Sequence, residues 1–82
     1  MLSEVDELVD VVVVFKKNLV WPKLLKWNGR VYRIKNINMR HQTNDGSALI
    51  HYFSVSDDLN FFKLAFNTKS LQWRLEQVYS EG

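Results

Sequence analysis

The sequence predicts an all-β domain: a curved antiparallel meander or small barrel of five to six strands, preceded by a short N-terminal helix or frayed tail. Three observations support this. Most runs between residues 11 and 79 alternate apolar and polar side chains with a period of two, and none has helical spacing. These runs are separated by chain-reversing clusters, of which Asn28-Gly29 is the sharpest. Finally, 13% of the 82 residues are aromatic and none is cysteine, so large rings rather than disulfides must stabilise a small core. One domain is expected over residues 10–79, flanked by a tail at 1–9 and another at 80–82.

Residues 2–9 place Leu2, Val5, Leu8 and Val9 at helical spacing, and Ser3 followed by Asp6 resembles a capping box, which predicts a short helix or a frayed end. Val11-Val12-Val13-Val14-Phe15 is a β-branched run without alternation. Such a strand is either buried on both faces or paired outside the monomer. Lys16-Lys17-Asn18 is a turn, and Leu19–Trp21 runs extended into Pro22, which suits an edge or a break.

Asn28-Gly29 then sets a hairpin register in which Trp27 faces Arg30, Lys26 faces Val31 and Leu25 faces Tyr32. Leu25, Trp27, Tyr32 and Ile34 share one face, and Leu24, Lys26, Val31 and Arg33 share the other. Arg30–Gln42 is one long strand with a fault. Tyr32 and Ile34 have one parity and Ile37, Met39 and His41 the other, which predicts a β-bulge near Lys35-Asn36. Thr43–Ser47 turns the chain into a central strand, Ala48–Ser56. Asp57–Asn60 loops into the alternating Phe61–Asn67, and Thr68–Ser70 leads to Leu71, Trp73 and Leu75. The expected core is Leu25, Trp27, Tyr32, Ile34, Phe53, Val55, Phe62, Leu64, Phe66, Trp73 and Leu75.

Catalytic chemistry finds no foothold in these residues. There is no cysteine nucleophile, no serine sits in a Gly-x-Ser-x-Gly elbow, and Gly29, Gly46 and Gly82 form no phosphate loop. His41, Asp45 and His51 lack metal-ligand spacing, and Asp57, Asp58 and Asn60 read as turn formers rather than a calcium loop. The expectation is therefore a non-enzyme with no catalytic residues, no metal, no cofactor and no small-molecule substrate. Val11–Phe15 is too short to span a membrane and the N-terminus is acidic, so no membrane partner is expected and the default location is cytoplasmic.

Net charge is only +2, but it is unevenly spread. Residues 1–10 hold Glu4, Asp6, Glu7 and Asp10 without a cation. Residues 11–43 hold Lys16, Lys17, Lys23, Lys26, Arg30, Arg33, Lys35 and Arg40 without a carboxylate. Two functions follow. The leading one is a protein-interaction module, self-associating as a homodimer or binding another protein through Val11, Val12, Val13, Val14 and Phe15. The alternative is nucleic-acid binding, to single strands or RNA, by the eight cations with nearby aromatics as stacking platforms.

The succession Trp27-x-Gly29-Arg30-x-Tyr32, Tyr52-Phe-Ser-Val55, Phe61-Phe-x-Leu64, Trp73-x-Leu75 and Val78-Tyr79 resembles small uncharacterised bacterial all-β domains over most of residues 22–79. The resemblance implies a bacterial origin and an all-β fold, and no activity.

Overall fold

In the computed structural model, which describes residues 1–80, seven antiparallel strands form one open sheet without a helix. They are β1 (Leu2–Lys16), β2 (Leu19–Trp27), β3 (Arg30–Arg33), β4 (Asn36–Asp45), β5 (Ala48–Ser56), β6 (Asn60–Asn67) and β7 (Gln72–Ser80), in the spatial order β3-β2-β1-β7-β6-β5-β4. Every strand lies beside its sequence neighbour except β3 and β4, which stand at the two ends of the sheet although only Ile34 and Lys35 separate them. The sheet is therefore rolled up. Among the described residues no helix is long and apolar enough to cross a membrane.

Rolling depends on two stretches of chain that each divide between two partners. Leu2–Val9 of β1 pairs with β7, and Asp10–Lys16 pairs with β2. The expected helix or tail over residues 1–9 is thus corrected to strand. A helix that short gains little by itself, whereas as strand the segment completes a ladder and packs Val5 and Val9 against the core. Asp6, at φ +53°, takes up the register shift between Glu4 and Glu7.

The long stretch 30–45 also serves two partners. It breaks at Ile34-Lys35, where the Ile34 N–H donates to Lys23 O on β2 and the Lys35 N–H to Ser56 O on β5. The expected single strand becomes β3 and β4, so the strands number seven rather than five or six. The extra residue of a bulge lies at Asn38, between Ile37 and Met39, with its amide on the buried Ser56 hydroxyl at 3.1 Å. In consequence Ile34 and Ile37 both reach the core, while Met39 faces outward.

The Asn28-Gly29 hairpin has the expected register, with both turn residues at positive φ (57° and 78°). Leu25 is fully buried, and Trp27, Tyr32 and Ile34 pack partly buried around it. The main core also holds Phe53, Val55, Phe62, Leu64, Phe66, Trp73 and Leu75 as expected, together with Val20 and Val78. The rings are in mutual contact: Trp73 lies 4.7 Å from Phe66 and 5.6 Å from Phe53, centroid to centroid.

Two loops permit direct tests. The Asp57 carboxylate accepts the Leu59 and Asn60 N–H groups at 2.8 and 2.7 Å, closing the β5–β6 turn. Partial burial raises its pKa, but these bonds, the Asn60 amide and the Lys35 charge outweigh that and hold it below its ordinary value. A depressed carboxyl stabilises the fold above its unfolded pKa and loses that contribution as pH falls through the folded one. Asp57→Ala is expected to cost about 1 kcal/mol at pH 7 by urea unfolding, with the gap to wild type narrowing below pH 3.8.

Leu71, which shares its parity with Trp73 and Leu75 but stands outside the expected core, is 71% exposed at φ +62°. Its N–H donates to Asn67 O at 2.8 Å, forcing a left-handed turn on a residue ill suited to it. Leu71→Asn is expected to stabilise by about 0.5–1 kcal/mol. On a domain this small that raises Tm by about 2–8 °C. An unchanged or lower Tm would show that the turn imposes no strain.

Candidate interaction face

The two residue sets expected from the sequence, Val11–Phe15 and the eight cations, do not occupy separate places. Val12 and Val14 meet Lys16, Lys23, Lys26 and Arg33 on the outer face of β1, β2 and β3. Alternation along β1 sends Val11 and Val13 inward against the core and Val12 and Val14 outward. The run is therefore not buried on both faces, and Val12 stays 56% exposed. Phe15 has inward parity but lies at the sheet's end, with its ring 6.2 Å from Phe66 and most of its surface open.

Cross-strand register builds the face row by row. Val14 lies beside Trp21, Val12 beside Leu24, and Asp10 beside Lys26. Leu24 is flanked on its other side by Arg33, and Lys26 by Val31, which is 63% exposed. A register shift at Val12/Val13 leaves Lys23 unpaired with β1 and turns it outward. The shift falls beside Pro22, which is fully buried. Val20 O accepts a hydrogen bond from Arg40 on the side away from β1. Alternation puts the missing N–H of Pro22 on that same open side, where it costs no ladder bond.

The result is an apolar strip of Val12, Val14, Leu24 and Val31 bordered by Lys16, Lys23, Lys26 and Arg33, with Asp10 at one corner. Next to it is a depression of about 340 Å³ between Val14, Lys16, Lys17, Leu19, Trp21 and Lys23. The Lys23 ammonium sits 5.6 Å from the centre of the Trp21 ring.

The other cations lie elsewhere. Lys17 is in the β1–β2 turn at φ +53°. Arg30 stands opposite Trp27 at the far hairpin end. Lys35 pairs with Asp58, the single ion pair any of the eight makes among the described residues. Arg40 points inward, its Nη1 donating to Val20 O at 2.6 Å and its guanidinium 4.5 Å from the Trp21 ring. The acidic start of β1 is on a different part of the surface, where Glu4 accepts from Gln77 and Asp6 pairs with Arg74.

Of the aromatics expected to serve as stacking platforms, Trp21 alone borders this face, opposite Val14. Trp27 and Tyr32 face inward, with Tyr32 5.1 Å from Phe62. Trp21 is the aromatic nearest the face, half-buried beneath Arg40 and Lys23. The two histidines separate as well: the outward-facing His41 stacks on Tyr52, while His51 faces inward beside Phe53 and Phe66.

Sequence reasoning missed a second exposed apolar row across β1, β7 and β6, at the other end of β1. Leu2 pairs with Tyr79 and Tyr79 with Phe61, all three substantially exposed, with the two rings 6.2 Å apart. The alternation of Phe61 with Phe62 signalled that Phe61 faces outward, but only strand order brings Leu2 beside it. The chain matches no protein-family model, no curated protein and no solved structure.

Proposed function

We propose that the chain is a non-enzymatic protein-interaction module whose docking surface is the outer face of β1–β2–β3. One observation carries this reading: exposed aliphatics and unpaired cations, far apart in sequence, interleave on a single face. A contiguous apolar strip with a charged rim is the anatomy of a binding surface rather than of ordinary solvated sheet.

The charges select the partner. A two-fold self-association through this face would set Lys16, Lys23, Lys26 and Arg33 of one copy against the same cations of the other, which is unfavourable. An acidic surface bearing aliphatic side chains fits both features. Nucleic acid, the second reading, is supported by the cations and by Trp21, but that ring is half-buried beneath Arg40 and Lys23 and the strip itself offers aliphatics where bases would need rings.

A peptide with the sequence of residues 2–9, Leu-Ser-Glu-Val-Asp-Glu-Leu-Val, has the proposed chemistry. Titrated into the ¹⁵N-labelled chain, it is expected to shift the amides of Val12, Val14, Leu24 and Val31. The affinity should fall at least tenfold in Val12→Glu/Val14→Glu and in Lys26→Glu/Arg33→Glu, and stay unchanged in Phe61→Glu. If Phe61→Glu is the damaging change, the functional face is the Leu2–Phe61–Tyr79 row. If a fifteen-residue oligothymidylate shifts the same amides with a steep salt dependence and the peptide does not, the nucleic-acid reading replaces this one. Sedimentation that shows a dimer lost in Val12→Glu/Val14→Glu would make the occupant a second copy.

A further inference from the structure

The open sheet has a wedge-shaped seam. β2 and β3–β4 part at Lys23/Ile34, and beyond that point no Cα of β2 lies within 8 Å of one of β4. Neighbouring strands in a ladder are about 4.8 Å apart, so at the wide end of the seam the interior is not closed by backbone. Arg40 stands there instead. It crosses from β4 to Val20 O on β2, its guanidinium 4.5 Å from the Trp21 ring and 5.5 Å from Phe53. One guanidinium N–H is used on Val20, and the fork has five. The group is held in place before any ligand arrives, by two rings and a carbonyl.

Beside this guanidinium is a cleft of about 420 Å³, between the start of β2 and the inner face of β4–β5. Its volume is in the range of small-molecule sites. Inward parity turns Arg40, Gln42, His51 and Phe53 toward it, and Asn18 and Leu19 border it from the hairpin tip. No carboxylate lines it. The cleft therefore combines one fixed positive charge with a planar donor fork, amide and imidazole groups that can donate or accept, and an apolar wall.

We infer that this cleft binds a small carboxylate joined to a flat apolar group. A guanidinium fork matches the two oxygens of a carboxylate. A single fixed charge balances a monoanion better than a doubly charged phosphate. The exposed Leu19 side chain accepts the apolar part. The site is distinct from the outer face of β1–β2–β3, and the carboxylate is equally that of a free small acid or of a peptide C-terminus.

The test is a titration of the ¹⁵N-labelled chain with benzoate, its neutral isostere benzamide, and N-acetyl-glycyl-phenylalanine, read on the side-chain resonances of Arg40 Nε, Gln42 and Asn18. Benzoate is expected to saturate these shifts at millimolar concentration, and benzamide to bind at least tenfold more weakly. Arg40→Lys, which keeps the charge but loses the fork, should weaken benzoate at least fivefold, and Gln42→Ala several-fold. Arg33→Lys, on the outer face, should leave it unchanged. Tighter binding of the dipeptide than of benzoate assigns the cleft to chain termini, and the reverse assigns it to free acids. Shifts that fail to saturate, equal binding of benzamide, an equal effect of Arg33→Lys, or saturation by inorganic phosphate in place of benzoate would overturn the proposal.

Discussion

Trp73→Ala is expected to destabilise the domain by about 3–5 kcal/mol, a quarter or more of its total stability. Trp73 is buried on β7, pairs with Val9 of β1 and Phe66 of β6, and packs its ring against Phe66 and Phe53. It joins the N-terminal half of β1 to the aromatic centre of the molecule. Truncating a buried Trp costs about 3–5 kcal/mol in lost transfer energy and residual cavity. Stability of about 0.05–0.15 kcal/mol per residue gives a chain this short only about 4–12 kcal/mol in total. Trp73→Phe keeps a ring beside Phe66 and should lose about half as much. Urea titration followed by circular dichroism measures both. A Trp73→Ala variant within 1 kcal/mol of wild type would mean that the ring cluster does not organise the core.

The second large effect separates neighbours on one strand. Val13→Asp is expected to cost about 3 kcal/mol or more, because it removes an aliphatic contact with the core and puts a carboxylate on an apolar inner face. Val13 lies opposite the fully buried Pro22 and packs on the main cluster. Val12→Asp, one residue away, should change stability by no more than about 0.5 kcal/mol, since Val12 faces solvent beside Leu24 and near the outer cations. Its effect should appear in binding of the acidic peptide instead. Thermal melts and titrations of the two variants give opposite orderings if β1 alternates as described. Equal destabilisation by both would show that the valine run is buried on its two faces and that the proposed docking strip does not exist.

Legibility followed the range of the interaction that decides each feature. The hairpin at Asn28-Gly29 was readable to the residue, because a two-residue turn needing positive φ at both positions settles its own register locally. The aromatic core was readable from alternation in β5, β6 and β7. The strand from Leu2 to Val9 was not, because helical spacing within eight residues competes with a ladder whose partner, β7, is some seventy residues away. Leu71 shares the parity of Trp73, but the Asn67 turn dictates its backbone and carries the side chain outward.

The candidate face shows the same division. The charge imbalance, the valine run and the Pro22 edge were all visible in the chain. That Lys23, Lys26 and Arg33 border Val12, Val14 and Val31 was not, since it follows from β2 lying between β1 and β3. Nor could residue order place Arg40 in the seam, where it bridges to a strand twenty residues earlier.

By itself, then, the sequence determined strand character, the tight reversals and which rings turn inward, because side-chain alternation and turn chemistry act over a few residues. Tertiary structure alone decided that β1 and the stretch 30–45 each divide between two partners, and so which cations stand beside which aliphatics. Those outcomes depend on closing a rolled sheet over one shared core, a requirement set by distant strands together rather than by any single segment.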